Sequence, residues 1–142
     1  DQSWKRHEKR KVRSDSEMIA VYCDGSYHAD TGKAGIAVIL YHNQAPVYLL
    51  TDEVVAANPT DAEMAALERG KSVVELLYPE ESYELYTDCN NVVAKSQKKL
   101  QSIIRWIPRE KNMVADALAC CAHNFSVEYN ADALNLLLKE KK

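Results

Sequence analysis

Residues 18–26 read Met18-Ile19-Ala20-Val21-Tyr22-Cys23-Asp24-Gly25-Ser26, and the organisation of the chain follows from them. Apolar and β-favouring side chains run as far as Cys23, and an acid, a glycine and a serine then interrupt them. The pattern predicts a strand over 18–24 that stops at Gly25-Ser26. Gly32 and Gly35 punctuate the next loop, and 35–41 reads as a second strand. His42-Asn43-Gln44 is a short polar turn, and 46–54 is a third strand. Three strands joined by short turns make an antiparallel meander.

The period then changes. Thr60-Asp61-Ala62-Glu63 has the T-x-x-E form of a capping box, and a helical pattern continues to about Leu77. Residues 79–82 are a break, 83–87 a fourth strand, and 91–97 a short helix. A fifth strand over 102–107 ends at Pro108, and 112–123 is helical. An amphipathic helix over 131–142 carries Leu134, Leu137 and Leu138 on one side. The order β-β-β-α-β-α-β-α predicts an α/β fold: a mixed five-stranded sheet, three strands antiparallel and then two parallel, with helices on its faces.

At 142 residues the chain suits one domain, expected over 18–142, able to bury about two-thirds of its unfolded surface. Residues 1–17 lack an apolar pattern and read as a flexible basic arm rather than a signal peptide. The net charge of −3 hides an asymmetry. Residues 1–13 hold six basic groups and two acids, a local +4 that leaves −7 for the remainder. An acidic body argues against holding nucleic acid by bulk charge, and leaves room for a local basic groove or a metal that inverts the local sign. The longest apolar run, residues 35–41, is too short to cross a bilayer. Cys23, Cys89, Cys120 and Cys121 lack zinc-site spacing and read as free thiols in a reducing cytoplasm, or nucleus if the arm is a targeting signal.

Four acids have unusual addresses. Asp24 and Asp88 each close a predicted strand, where ligands gather in open α/β sheets. Glu63 shares a helical stripe with Ala66, Leu67 and Gly70, so it faces the sheet, where an unpaired carboxylate costs several kcal/mol. Asp116 has Met113, Ala119 and Cys120 as helical neighbours and also faces inward. Each has an ordinary alternative: a turn for Asp24, helix caps for Asp88 and Glu63, a surface pair with Arg109 or Lys111 for Asp116. As a set they make a cluster of hard oxygen ligands that needs cations, and that suits Mg²⁺ or Mn²⁺ rather than zinc.

The order of these motifs resembles the ribonuclease H family. The matching stretches are Tyr22-Cys23-Asp24-Gly25-Ser26, residues 61–67 around Glu63, Leu85-Tyr86-Thr87-Asp88, and Trp106-Ile107-Pro108-Arg109-Glu110-Lys111-Asn112 leading to Asp116. The resemblance covers about 18–123. It implies a three-layer fold and hydrolysis of the RNA strand of an RNA/DNA hybrid with two Mg²⁺ or Mn²⁺ ions. Asp24, Glu63, Asp88 and Asp116 would be both metal ligands and catalytic residues. Asp24 would bridge the ions, Asp116 would serve the water side, and Glu63 and Asp88 the leaving-group side. Gly25, Ser26, Thr60, Arg109, Lys111 and Asn112 match substrate-contacting positions. The chain departs from the family pattern in the 28 positions between Asp88 and Asp116, a short interval, and in Pro59-Thr60, which stands where an Asn pair is usual.

Six basic groups between Lys95 and Lys111, with Trp106 among them, read as a phosphate track. Nucleic acid is thus the expected partner and a membrane is not. Two further readings stay open: an inactive module of the same fold that binds nucleic acid or protein, and a same-fold nuclease acting on DNA or structured RNA.

Overall fold

A computed structural model of the chain describes residues 18–124 and 126–132. Strand β1 (Ile19–His28) is the axis of the molecule, because it pairs on both sides. It runs antiparallel to β2 (Lys33–His42), which runs antiparallel to β3 (Ala45–Val55). On its other side β1 is parallel to β4 (Tyr83–Thr87), itself parallel to β5 (Ile104–Trp106). Helix α1 (Pro59–Leu77) makes the crossover to β4, and α2 (Val93–Leu100) the crossover to β5. Helix α3 (Met113–Cys121) follows β5.

Three features differ from the sequence expectation. The sheet has six strands, not five, in the order β5-β4-β1-β2-β3-β6, because β6 (Glu128–Asn130) adds antiparallel to the edge of β3. Three residues carry too little alternation to be read as a strand. Pairing alone creates this one, and Thr51 N–H donating to the Val127 carbonyl at 2.8 Å anchors it. Strand β1 does not stop at Gly25-Ser26 but continues to His28, because β2 offers partners as far as Lys33. The cap of α1 is Asn58, not Thr60: Asn58 Oδ1 accepts from Asp61 N–H and Asp61 Oδ2 accepts from Ala57 N–H, both at 2.8 Å. The arm at 1–17 and nearly all of the helix expected at 131–142 lie outside the described residues.

Alternation along the strands separates two cores. Val21, Cys23, Ile36, Val38 and Leu40 pack with Leu67 and Val74 of α1. On the opposite face Ala37 and Ile39 pack with Ala115 and Ala119 of α3. The helices therefore cover both faces and give three layers. Small residues let α3 approach closely. A Cβ on Gly35 would lie 2.0 Å from the Ala119 carbonyl oxygen, so any larger residue forces the helix away. Among the described residues no helix is long and apolar enough to cross a membrane.

Candidate active site

Asp24 and Asp88 meet because β1 and β4 are parallel and in register. Tyr22 pairs with Tyr86, and each acid lies two residues further along its chain, on the same side as its tyrosine. Asp24 is buried at 3% exposure and Asp88 is half-buried. Glu63 reaches them from the second turn of α1. With Asn58 and Asp61 capping the helix, the Glu63 carboxylate is left to face the sheet, and the Gly25 N–H donates to its Oε1 at 2.6 Å. Gly25 is required for this approach: a Cβ there would stand 2.5 Å from the Ala62 carbonyl oxygen.

Carboxylate oxygens of Asp24, Glu63 and Asp88 all lie within 4.8 Å of one another. Asp116, on the first turn of α3, lies near enough to Asp24 to help raise its carboxyl, but it is not one of the three acids whose oxygens share the 4.8 Å cluster. Its place is set by Asn112, which is 1% exposed. Asn112 Nδ2 donates to the Cys23 carbonyl at 3.0 Å, and the Asn112 carbonyl accepts from Asp116 N–H at 3.0 Å. The Cys23 carbonyl, next to Asp24, is thereby tied to the residue that opens α3.

Such crowding makes ionisation costly. Burial pushes the Asp24 carboxyl up to about 10, helped by the negative charges of Glu63 and Asp88 and by the nearby Asp116 carboxyl. Burial also pushes Glu63 up to about 7, although the Gly25 N–H and a bond with Asp24 act in the other direction. The neighbouring Cys23 thiol is raised by burial and then by Glu63 and Asp24, so it is an inert core group. Among the described residues none of the four carboxylates has a cationic partner, and the buried Asp88 Oδ2 has no hydrogen-bond partner. An orphaned oxygen in a cluster of hard donors fits a divalent cation of the Mg²⁺ or Mn²⁺ type.

The expected substrate positions surround this cluster unevenly. Gly25 and Ser26 are half-buried on β1, and Thr60 is exposed at the start of α1. Arg109 and Lys111 are exposed on the 3-10 turn before α3, whereas Asn112 points inward. Trp106, to which the sequence reading gave no role at the acids, stands beside them at 51% exposure, and its Nε1 donates to the Asp88 carbonyl at 3.1 Å. Two basic groups of the track are engaged elsewhere: Lys99 with Glu68 at 2.7 Å and Arg105 with Glu84 at 2.9 Å.

A family model described as RNase H matches residues 15–131. The chain belongs to the RNase H family. Solved structures agree on the fold. RNase H1 from the halophilic archaeon Halobacterium salinarum is 21% identical with a TM-score of 0.62, covering 75% of this chain and 98% of that one. An RNase H1 named LC11, solved in complex with an RNA/DNA hybrid, is 21% identical with a TM-score of 0.64, covering 73% and 95%. The foamy viral protease-reverse transcriptase, solved with double-stranded DNA, is 12% identical with a TM-score of 0.55, covering 75% and 93%. A search of curated proteins finds no match. This RNase H chain has the three-layer fold that the resemblance implied, and Asp24, Glu63 and Asp88 meet at the carboxyl end of the paired stretch of the central parallel strands.

Proposed function

We propose that this RNase H chain is a divalent-metal-dependent endonuclease that hydrolyses the RNA strand of RNA/DNA hybrids. The observation that carries the reading is the trio of Asp24, Glu63 and Asp88, with oxygens within 4.8 Å and no cation among the described residues to balance them. A binding module gains nothing from that repulsion, whereas a metal-dependent hydrolase needs it. Asp24, Glu63, Asp88 and Asp116 would hold the ions, with Asp24 the most deeply buried of the four. Bound Mg²⁺ or Mn²⁺ supplies Lewis acidity and makes water a competent nucleophile near neutral pH.

The chain's own groups set the geometry. Gly25 N–H orients Glu63, Asn112 holds the start of α3 beside β1, and Trp106 braces the Asp88 carbonyl. Attack of water on phosphorus breaks the bond to the 3′ oxygen, leaving a 5′ phosphate and a 3′ hydroxyl. Ser26 follows Asp24 by two residues and the exposed Thr60 precedes Glu63 by three, so both would meet ribose 2′-hydroxyls of a strand bound across a wide minor groove. Arg109 and Lys111 are placed to hold phosphates.

A second reading, a non-catalytic nucleic-acid module, is favoured by the short α2 and the 28-position interval between Asp88 and Asp116. One experiment separates the two. Labelled RNA/DNA hybrid, double-stranded RNA and DNA are offered to wild type and Asp24→Asn with Mg²⁺, Mn²⁺ or EDTA. Metal-dependent cutting of the hybrid's RNA strand by wild type alone is expected. Binding without cutting under every metal supports the module.

A further inference from the structure

The sheet face that carries Asp24 and Asp88 does not end at α3. Beside the turn at Arg109–Lys111, whose Lys111 lines it, a groove of about 800 Å³ opens over β1, β2 and β4. Its floor is aromatic. The rings of Tyr22 and Tyr86 stack with centroids 5.0 Å apart and planes at 28°, and Tyr41 meets Tyr22 edge-on at 5.1 Å. Lys111 stands at one rim and the side-chain amides of Asn43 and Gln44 at another. Asn43 and Gln44 adopt positive φ, 54° and 66°, in the tight turn between β2 and β3, which holds that rim in place.

The floor is pre-organised. Tyr86 OH donates to Glu84 Oε1 at 2.9 Å, and Glu84, 2% exposed, also accepts from Arg105 at 2.9 Å. The acid beneath the groove is therefore paired, and Tyr86 is locked in the orientation that stacks it on Tyr22. Lys111 has no ion-pair partner among the described residues. Aromatic faces to stack on, a cation for phosphate and amides for base edges are the elements that recognise single-stranded nucleotides. The volume falls in the roughly 300–1,000 Å³ range of small-ligand clefts.

We infer that the Tyr22–Tyr41–Tyr86 groove is a second nucleic-acid site, which takes unpaired nucleotides flanking the duplex engaged at the acids. The site rests on the hydrolase reading for its geometry. Tyr22 and Tyr86 precede Asp24 and Asp88 by two strand residues, about 7 Å, so a strand leaving the acids along β1 and β4 arrives over the tyrosines, where Lys111 lines the groove. The short α2 gives the site a reason. A chain with little grip on the duplex beyond its acids gains affinity from stacking on an overhang.

Fluorescence anisotropy tests this with full-length protein carrying Asp24→Asn, so that substrate survives. A blunt hybrid is compared with hybrids that bear a single-stranded overhang of about four nucleotides on the RNA or on the DNA strand, and with free oligouridylate and oligothymidylate of the same length. The overhang is expected to tighten binding roughly 5- to 100-fold. Tyr41→Ala and Lys111→Ala each remove most of that gain, and Tyr41→Phe keeps it. A gain on either strand supports the site and names the strand. No gain on either, a gain that survives both Tyr41→Ala and Lys111→Ala, or self-association of the protein in place of oligonucleotide binding overturns it. Lys111 is exposed, so Lys111→Ala stays informative even where Tyr41→Ala unfolds the chain. Failure of the hydrolase reading looks different: the hybrid stays uncut by wild type while free oligonucleotides still bind through Tyr41.

Discussion

The Gly25 backbone N–H donates to Glu63 Oε1 at 2.6 Å, joining the middle of β1 to α1 across 38 positions of sequence. This contact turns a helix glutamate into a member of the acid cluster, and it exists because Gly25 has no side chain. Gly25→Ala would place a methyl 2.5 Å from the Ala62 carbonyl oxygen. The helix must then shift, at about 1–3 kcal/mol, and Glu63 moves off the cluster with it. Urea denaturation should show that loss, and Mn²⁺ titration calorimetry should show weaker binding. Glu63→Gln should weaken Mn²⁺ binding with little loss of stability.

Metal-free stability should fall as pH rises. Asp24 and Glu63 are raised in the folded state, to about 10 and about 7, from ordinary values of 3.8 and 4.5. Below those ordinary values both states are protonated and the contribution is intact. Above them the unfolded chain ionises first, so folding becomes less favourable through pH 7 for Glu63 and towards pH 10 for Asp24. Melting temperature in EDTA should therefore drop between about pH 5 and pH 9. Asp24→Asn should flatten most of the drop, and Mg²⁺ should oppose it in wild type. A wild-type curve that rises over this range in EDTA would contradict the assigned burial.

Asn112→Ala should uncouple Asp116 from Asp24. Removing the Nδ2 donor leaves the buried Cys23 carbonyl without that bond, a cost of about 1–3 kcal/mol. Thermal denaturation checks that figure. The more specific readout is turnover, with kcat for hybrid cleavage falling and KM little changed, because Asn112 is buried away from the duplex. A variant that loses stability but keeps kcat would leave Asn112 with a packing role only.

Affinity for a hybrid should fall steeply with salt, and the free cations should set the slope. Lys95, Lys98, Arg109 and Lys111 are exposed and unpaired among the described residues, whereas Lys99 and Arg105 hold Glu68 and Glu84. Replacing Lys95 or Arg109 by Ala should reduce the slope of log affinity against log salt by roughly one. Replacing Lys99 should change it far less.

Much of this was legible in the chain because it is local. The run 18–24 announces a strand by its apolar side chains, and the change to a helical period after Asn58 announces α1. The stripe Glu63, Ala66, Leu67, Gly70 shows which way the glutamate faces. Backbone periodicity decides these things within a few residues, so the α/β class and the inward face of Glu63 follow from sequence. Other features depend on partners far along the chain. Strand β1 runs past Gly25 because β2 pairs with it, and β6 is a strand only because Thr51 and the neighbouring edge of β3 receive it. Asn58 takes the cap in place of Thr60 because Asp61 completes it, which leaves Glu63 for Gly25. Asn112 is an inward tie, Trp106 a brace on Asp88, and three tyrosines from separate strands form one floor. Sequence determined which groups the chain carries and the face each occupies; only the packed structure decided which of them meet, because burial and cross-strand pairing join residues that local periodicity cannot relate.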